Sequence, residues 1–198
     1  MSNQNPSTSK IMVIRHAEKP VDDYQGINVY GTEDAEALIV QGWQRAGALV
    51  ALFDPFNGPL QNTGLAVPNV LYASVPRTSG ESKKKYSKSQ RPLETITPLS
   101  QRLNIDINLN YGADEYKAMA DDAMAQTGTV LIAWQHSDIP HIANHIQAVN
   151  TAPQSWPDDR FDVVWIFDLD EDTGTYSFSQ VPQNLLAGDQ NVGIPYQS

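Results

Sequence analysis

Short apolar runs alternate with longer amphipathic segments along most of this chain. Runs with no polar alternation are typical of strands buried on both faces of a sheet. Four such runs are bounded by polar or turn residues: IMVI (11–14), NVLYAS (69–74), TVLIAW (129–134) and DVVWIF (162–167). A fifth segment, TYSFSQV (175–181), alternates apolar and polar residues, which predicts an edge strand.

Apolar residues at helical spacing predict helices between these strands. The predicted helices cover residues 36–53, 91–103, 114–126 and 138–149. Strands that alternate with helices favour a mainly parallel sheet covered by helices on both faces. We therefore expect an α/β protein, a three-layer α/β/α sandwich with a mainly parallel central sheet.

The segments between these elements predict loops and a single domain. Residues 54–68 and 74–90 are rich in turn-forming or charged residues, and the KKK tripeptide at 83–85 is expected to be a solvated part of the second loop. No internal repeat or break in composition marks a second domain. A chain of 198 residues suits one domain. We expect residues 1–198 to form it, with loosely attached tails at 1–9 and from about 187 to 198.

Composition then narrows the classes of function. Thirteen Lys plus Arg against 23 Asp plus Glu give a net charge of -10, which repels nucleic acids and acidic membranes. The absence of cysteine excludes disulfides, a thiol nucleophile and thiolate metal sites. No apolar signal core opens the chain, and no apolar run reaches the ~18 residues of a membrane span. We expect a cytoplasmic protein, provided that the chain begins at its native start, and the pattern leaves its oligomeric state open.

Arginine and histidine side chains follow the predicted strands. Arg15 and His16 come directly after IMVI, His136 follows TVLIAWQ, and Arg91 opens a predicted helix. The carboxyl ends of parallel strands meet at one edge of an open sheet, where ligands bind. Guanidinium groups bind phosphate oxygens bidentately, and an imidazole can donate a hydrogen bond or attack phosphorus. Together these four residues predict an anion pocket.

The same residues carry a resemblance to a known family. Ile11–Glu18 resembles the strand-Arg-His-Gly motif of the histidine phosphatase superfamily, also called phosphoglycerate mutase-like, with Ala17 in place of the usual glycine. RPLET (91–95) is similar to the family's Arg-Ala-x-Gln-Thr helix signature. TVLIAWQH (129–136) resembles the later strand that ends in a catalytic histidine, and residues 38–53 resemble the first helix. The resemblance covers residues from about 10 to about 170.

This resemblance implies a phosphoglycerate mutase-like fold and two-step phosphoryl transfer. His16 would be the nucleophile that forms a phosphohistidine, and Arg15, Arg91 and His136 would bind the phosphoryl oxygens. No metal or other cofactor is required, because the protein supplies the cations. The implied substrate is a phosphorylated small molecule or a phosphoprotein. Hydrolysis is preferred over mutase activity because a mutase must retain and re-transfer the phosphoryl group inside a closed site, and we recognise no segment that would specify phosphoglycerate.

The general acid that protonates the leaving alkoxide is left open by the motifs. One branch of the family uses a Glu in a loop after a middle strand, which indicates Asp114 or Glu115 in YGADEYKAM. The other branch uses an Asp directly after the second histidine, but here Ser137 intervenes and Asp138 comes one position late. Glu18 is a further candidate.

Three alternative interpretations stand beside this one. Arg77 is the competing second arginine. A non-catalytic member of the fold would keep the anion pocket and bind phosphorylated ligands without hydrolysing them. A zinc hydrolase would use His141 and His145, which lie four residues apart on one helical face, although Ile142 occupies the position of the essential Glu in H-E-x-x-H enzymes.

Overall fold

The computed structural model describes residues 8–77 and 87–196, so the KKK tripeptide at 83–85 lies outside the described residues. No helix within these two ranges is long and apolar enough to cross a membrane. A single 3-10 turn, Ala113–Glu115, precedes the third helix. The elements in chain order are β1 (Thr8–Arg15), α1 (Val40–Phe53), β2 (Val70–Ala73), α2 (Arg91–Leu103), β3 (Ile107–Asn108), α3 (Tyr116–Ala125), β4 (Gly128–Trp134), α4 (Ile139–Ile146), β5 (Val163–Asp170) and β6 (Thr175–Pro182).

The six strands form one sheet in the order β3-β2-β4-β1-β5-β6. The first four strands of that order run parallel to one another, and Arg15 at the end of β1 lies opposite Trp134 at the end of β4. β5 pairs antiparallel with β1, and β6 pairs antiparallel with β5. The amino end of β5 therefore lies at the same edge as the carboxyl ends of β1 and β4.

Helices cover both faces of the sheet. Alternate residues of β1 point to opposite faces, so Ile11 and Val13 pack with α3 and α4, whereas Met12 and Ile14 pack with α1 and α2. Burial of both faces explains why the central strands are continuous apolar runs. The predicted three-layer α/β/α sandwich with a mainly parallel sheet is confirmed.

Two helices show clear sequence signals at their ends. α2 and α4 each carry a proline in the first turn, where no backbone N–H is needed for the helix. They end at left-handed residues, Asn104 with φ 55° and Gln147 with φ 56°. α1 begins at Val40, later than the predicted residue 36, because Ile39 has an extended backbone, with φ -76° and ψ 171°. Leu38 N donates to Glu94 Oε2, and Ile39 N donates to the Glu18 carbonyl.

Residues of both terminal segments make contacts with the rest of the fold. Thr8 belongs to β1, and its hydroxyl donates to the Ala123 carbonyl at 2.6 Å. Near the other end, Asp189 forms an ion pair with Arg45, and Ile194 is 2% exposed. These contacts anchor Thr8, Asp189 and Ile194, whereas Val192 and Tyr196 are each 60% exposed. The expected tails covered residues 1–9 and about 187–198, of which 1–7 and 197–198 lie outside the described residues.

Arg45 on α1 connects the C-terminal segment to the loop after β1. Its guanidinium donates to Glu18 Oε1 through Nε and Nη2 at 2.9 and 2.7 Å, and to Asp189 Oδ1 through Nη2 at 2.7 Å. All three residues are buried at these contacts. Arg45→Met should lower the free energy of unfolding by about 3–5 kcal/mol, because it leaves two buried carboxylates without a counter-charge.

Urea unfolding measures this loss, and Arg102→Met is the matched control. Arg102 pairs with Asp54 in a more exposed position, with 42% of the arginine side chain accessible. Exposed pairs contribute about 0–1 kcal/mol. Equal losses in the two variants would contradict the assignment of Arg45 as a buried connection.

Candidate active site

The candidate site lies at the edge of the sheet where β1 and β4 end. His16 N donates to the Trp134 carbonyl at 3.0 Å, which extends the parallel pairing one residue past Arg15. This bond brings His16 beside the segment that leads to His136. The Ala17 N–H donates to Thr95 Oγ1 at 2.8 Å, so the first turns of α2 also hold the loop after β1. Three distant segments thus meet at one edge.

His16 is 4% exposed, and its ring orientation is fixed by the backbone. Its Nδ1 lies 2.7 Å from the Ala17 carbonyl oxygen. A carbonyl can only accept, so Nδ1 carries the proton and Nε2 holds the lone pair of the neutral ring. Burial lowers the pKa of His16 well below its ordinary 6.5, and the charges of Arg15 and Arg91 lower it further against the opposing Ala17 hydrogen bond.

Arg15 is 1% exposed and uses only part of its guanidinium for the fold. Its Nη1 donates to the carbonyls of Pro157, Asp158 and Arg160 at 3.0, 2.8 and 3.0 Å. Its Cζ lies 3.9 Å from the centre of the Phe161 ring. Burial lowers the pKa of Arg15 to about 10, so the group stays charged at neutral pH. Its Nε and Nη2 are buried without a hydrogen-bond partner among the described residues.

Arg91 and His136, like Arg15, each have one side-chain nitrogen that contacts the protein and at least one buried nitrogen without a partner among the described residues. Arg91 Nη1 donates to the Ala35 carbonyl at 3.0 Å, whereas His136 Nε2 lies 2.6 Å from Asp158 Oδ1. Burial lowers the pKa of both groups, and the charge of Arg15 lowers that of His136 further. Arg91 Nε and His136 Nδ1 are buried, and neither has a partner within residues 8–77 and 87–196.

Four buried nitrogen atoms on Arg15, Arg91 and His136 therefore have bonding capacity that the described part of the chain does not use. Leaving a buried polar atom unpaired costs about 1–3 kcal/mol, and more for a charged group. Native structures tolerate such atoms where a ligand or ion completes the bonding. Positive charge with unused donors is the arrangement that an anion with several oxygens would complete.

The carboxylates considered from the sequence as general acids lie in different surroundings. Glu115 Oε2 accepts from Arg77 Nη2 and from Gly112 N, both at 2.8 Å. Asp114 is exposed. Asp138 precedes α4, and the Ser137 hydroxyl donates to its Oδ2 at 3.3 Å. Glu18 Oε1 accepts a hydrogen bond from Arg45, so this carboxylate has a structural contact.

Arg77, the competing arginine, pairs with Glu115, whereas Arg91 belongs to the helix that holds the His16 loop. The charge of Arg91 also acts on Arg15 and His16. We therefore take Arg91 as the second arginine of the candidate site.

The two histidines of the zinc interpretation have other contacts. His141 stacks on Tyr116 with ring centres 5.7 Å apart, and His145 Nε2 lies 2.7 Å from Asp121 Oδ1. Within the described residues, no group of three His, Cys, Asp or Glu side chains is arranged to hold a metal ion. These contacts give the zinc interpretation no support.

Asp158 and Phe161 are the site residues that sequence reasoning missed. They lie in the loop before β5, and this loop reaches the site because β5 runs antiparallel to β1. Asp158 contacts His136, and the Phe161 ring packs against Arg15 and lies 6.1 Å from the His16 ring. If β5 were parallel to β1, this loop would lie at the opposite edge of the sheet, away from His16. The segment itself, WPDDRFD, carries no motif that would correct the error.

Comparison with known proteins gives structural neighbours and no sequence match. No family model and no curated protein matches the chain. The fold is similar to the protein histidine phosphatase SixA complexed with tungstate, with a TM-score of 0.48 and 12% identity over 88% of this chain and 97% of that one. It is also similar to the alpha-ribazole phosphatase from Shigella flexneri, with a TM-score of 0.48 and 10% identity over 92% of this chain and 100% of that one. By name, the first neighbour is a histidine phosphatase and the second is a phosphatase. At such low identity, the role of each side chain has to be argued from its own contacts.

Proposed function

We propose that this protein is a phosphatase that hydrolyses a phosphate monoester through a phosphohistidine on His16. The observation that carries the proposal is the set of buried nitrogen atoms on Arg15, Arg91 and His136 that lack partners within the described ranges. A phosphoryl group offers three oxygens to such donors, and guanidinium groups match their geometry. The nearby imidazole of His16, with Nδ1 bonded to a carbonyl, supplies a nucleophilic Nε2.

In the first step, His16 Nε2 attacks phosphorus. The N–P bond forms as the P–O bond to the alcohol breaks, and a carboxylic acid gives its proton to the departing alkoxide. Arg15, Arg91 and His136 stabilise the charge on the phosphoryl oxygens while the group is transferred. Removing one such donor typically costs about 3–4 kcal/mol of transition-state stabilisation.

In the second step, water attacks the phosphohistidine and releases inorganic phosphate. The N–P bond breaks, a carboxylate takes the proton from water, and neutral His16 is restored. Asp158 orients His136 in both steps through its contact with Nε2, which leaves Nδ1 for a phosphoryl oxygen. Nδ1 donates to a phosphoryl oxygen only when the ring is doubly protonated. Burial and the charge of Arg15 oppose that form, whereas Asp158 and the bound anionic phosphoryl group favour it.

Hydrolysis of p-nitrophenyl phosphate, followed together with calorimetric binding of inorganic phosphate, tests the proposal. We expect turnover of the ester and competitive inhibition by phosphate. Phosphate binding without turnover would favour the non-catalytic alternative, in which the same donors capture a phosphorylated ligand or partner. If the protein neither binds phosphate nor hydrolyses the ester, both interpretations are wrong.

The pH dependence of kcat/KM follows from the state of His16. Neutral imidazole is the attacking form, and burial lowers the pKa of His16 well below 6.5. A lowered pKa keeps the ring neutral as the pH falls through 6.5. We therefore expect kcat/KM for p-nitrophenyl phosphate, corrected for ionisation of the substrate, to show no loss near pH 6.5 from protonation of the nucleophile.

Phe161→Ala provides the comparison for this profile. The Phe161 ring lies beside His16, so its removal exposes the imidazole to water. Weaker desolvation should move the acidic limb of kcat/KM to higher pH. If the acidic limb of kcat/KM lies near pH 6.5 in the wild type, or at the same pH in both proteins, burial is not the cause of a lowered His16 pKa.

The general acid is tested with two esters that differ in leaving group. p-Nitrophenolate leaves without a proton, whereas the alkoxide of glycerol 2-phosphate needs one. Among Glu115→Gln, Asp114→Asn and Asp138→Asn, the change that removes the acid should slow glycerol 2-phosphate hydrolysis by about 10²–10⁴-fold and p-nitrophenyl phosphate hydrolysis much less. Steady-state kcat values for both esters provide the measurement.

Unequal effects of the three changes would identify the acid. Equal and negligible effects would show that the proton donor lies elsewhere. In that case Asp158, which contacts His136, is the next carboxylate to replace.

A further inference from the structure

A cavity of about 600 Å³ adjoins the proposed phosphate-binding residues. Two residues of the cavity wall also contact the proposed phosphate-binding residues: Asp158 contacts His136, and Phe161 packs against Arg15. Glu18, the second residue after His16, also lines the cavity. An ester whose phosphoryl group is bound by Arg15 therefore has this cavity beside it for its alcohol portion.

Part of the cavity wall is apolar. Val21, Tyr24 and Ile39 line it together with the Phe161 ring. Apolar walls with a few charged groups are typical of sites for small organic molecules. Such a wall suits the carbon skeleton of an alcohol better than a free phosphate ion.

The charged groups of the wall have a negative excess. Three basic and five acidic side chains line the cavity. Arg160 is paired with Asp162 at 2.7 Å, so this pair adds no net charge. Arg45 is shared by Glu18 and Asp189, which leaves that group of three with one negative charge in excess. Lys19 stands against Asp158 and Asp159, which leaves a second negative charge in excess. The net charge of -10 on the whole chain also favours cations over anions.

Glu18 contributes a specific acceptor to this wall. The residue is 7% exposed, and its Oε1 takes both hydrogen bonds from Arg45. Its Oε2 is buried and accepts no hydrogen bond from the described part of the chain. A buried carboxylate oxygen without a donor is costly, and a ligand N–H would relieve that cost. Asp159, in the same wall, is an exposed carboxylate whose charge also acts on Arg15.

We propose that this cavity binds the alcohol portion of the substrate and selects phosphate monoesters that carry an ammonium group over those that carry a second anion. The proposal rests on the phosphatase function above and names its substrate class. The guanidinium and imidazole donors bind the phosphoryl group, whereas the carboxylates of Glu18 and Asp159 attract the ammonium. A carboxylate on the alcohol is repelled by the same two groups.

The test compares kcat/KM for three esters: O-phosphoethanolamine with an ammonium, glycerol 2-phosphate with no charge, and 3-phosphoglycerate with a carboxylate. We expect O-phosphoethanolamine to exceed glycerol 2-phosphate by about 10-fold or more, and 3-phosphoglycerate to be slowest. Asp159→Asn should reduce the ratio of the first ester to the second. Asp159 is chosen because Glu18 also neutralises Arg45, and its replacement could unfold the protein.

Glu171→Gln is the matched control, since Glu171 is an exposed residue of the turn between β5 and β6. It should leave the ratio of the first two esters unchanged. If p-nitrophenyl phosphate is hydrolysed but the three esters react equally, or 3-phosphoglycerate reacts fastest, the cavity proposal is wrong and the phosphatase proposal stands. An ammonium preference that Asp159→Asn leaves intact would likewise overturn the role of this cavity. Failure to hydrolyse p-nitrophenyl phosphate would overturn the phosphatase proposal and this one with it.

Discussion

Replacement of His16 by alanine is expected to lower kcat for p-nitrophenyl phosphate by about 10⁴-fold or more, because the N–P bond can no longer form. The effect should exceed that of any other single change at the site. His16 is buried, and its Nδ1 bonds to the Ala17 carbonyl, which leaves Nε2 as the ring atom for the attack. Steady-state kinetics over a range of enzyme concentrations measure the loss.

His141→Ala is the control for this change. His141 lies on α4, and its imidazole stacks on Tyr116 of α3. Its removal should leave kcat unchanged. Circular dichroism and urea unfolding of both variants separate a loss of chemistry from a loss of folding. Substantial residual activity in a folded His16→Ala protein would exclude this residue as the nucleophile.

The second large effect is expected from Arg15→Lys. Lysine retains the positive charge but lacks the planar fork that presents Nε and Nη2 together. Both of these atoms are buried without a partner in the described ranges, so both are assigned to the phosphoryl group. We expect kcat/KM for p-nitrophenyl phosphate to fall by about 10²–10³-fold, the range measured when one preorganised donor is removed from a site.

Arg91→Lys is the matched comparison, because Arg91 has one buried free donor where Arg15 has two. Its loss of kcat/KM should be smaller. Arg15 also holds the loop before β5 through three carbonyls, so urea unfolding has to accompany the kinetics. A larger loss for Arg91→Lys than for Arg15→Lys, with both proteins folded, would contradict the assignment of Arg15 as the main phosphate ligand.

Local patterns predicted most of the framework. The buried runs gave β1, β2 and β4 because both faces of these strands are covered, and helical spacing gave the four helices. The rule that ligands bind at the carboxyl ends of parallel strands then led to the edge where His16 N meets the Trp134 carbonyl. The proximity of His16 and His136 could be predicted because both follow strands of the same parallel set.

The contributions of the antiparallel part could not be predicted in the same way. DVVWIF is a continuous apolar run, and such a run has the same composition whether its strand is parallel or antiparallel. Its direction decides which edge receives Asp158 and Phe161. Hydrogen bonds between residues far apart in the chain are similarly invisible to local patterns. The bonds from Arg45 to Asp189 join α1 to the C-terminal segment, and no local pattern around either residue indicates them.

The most direct test of the central proposal is capture of the phosphoenzyme. The wild-type protein would be mixed with p-nitrophenyl phosphate, quenched within milliseconds in alkali, and digested for mass spectrometry. The proposal predicts one phosphoryl group that is stable in alkali, labile in acid and located on His16, with none in the His16→Ala protein. Turnover without a phosphoenzyme, or a phosphoryl group on another residue, would contradict it.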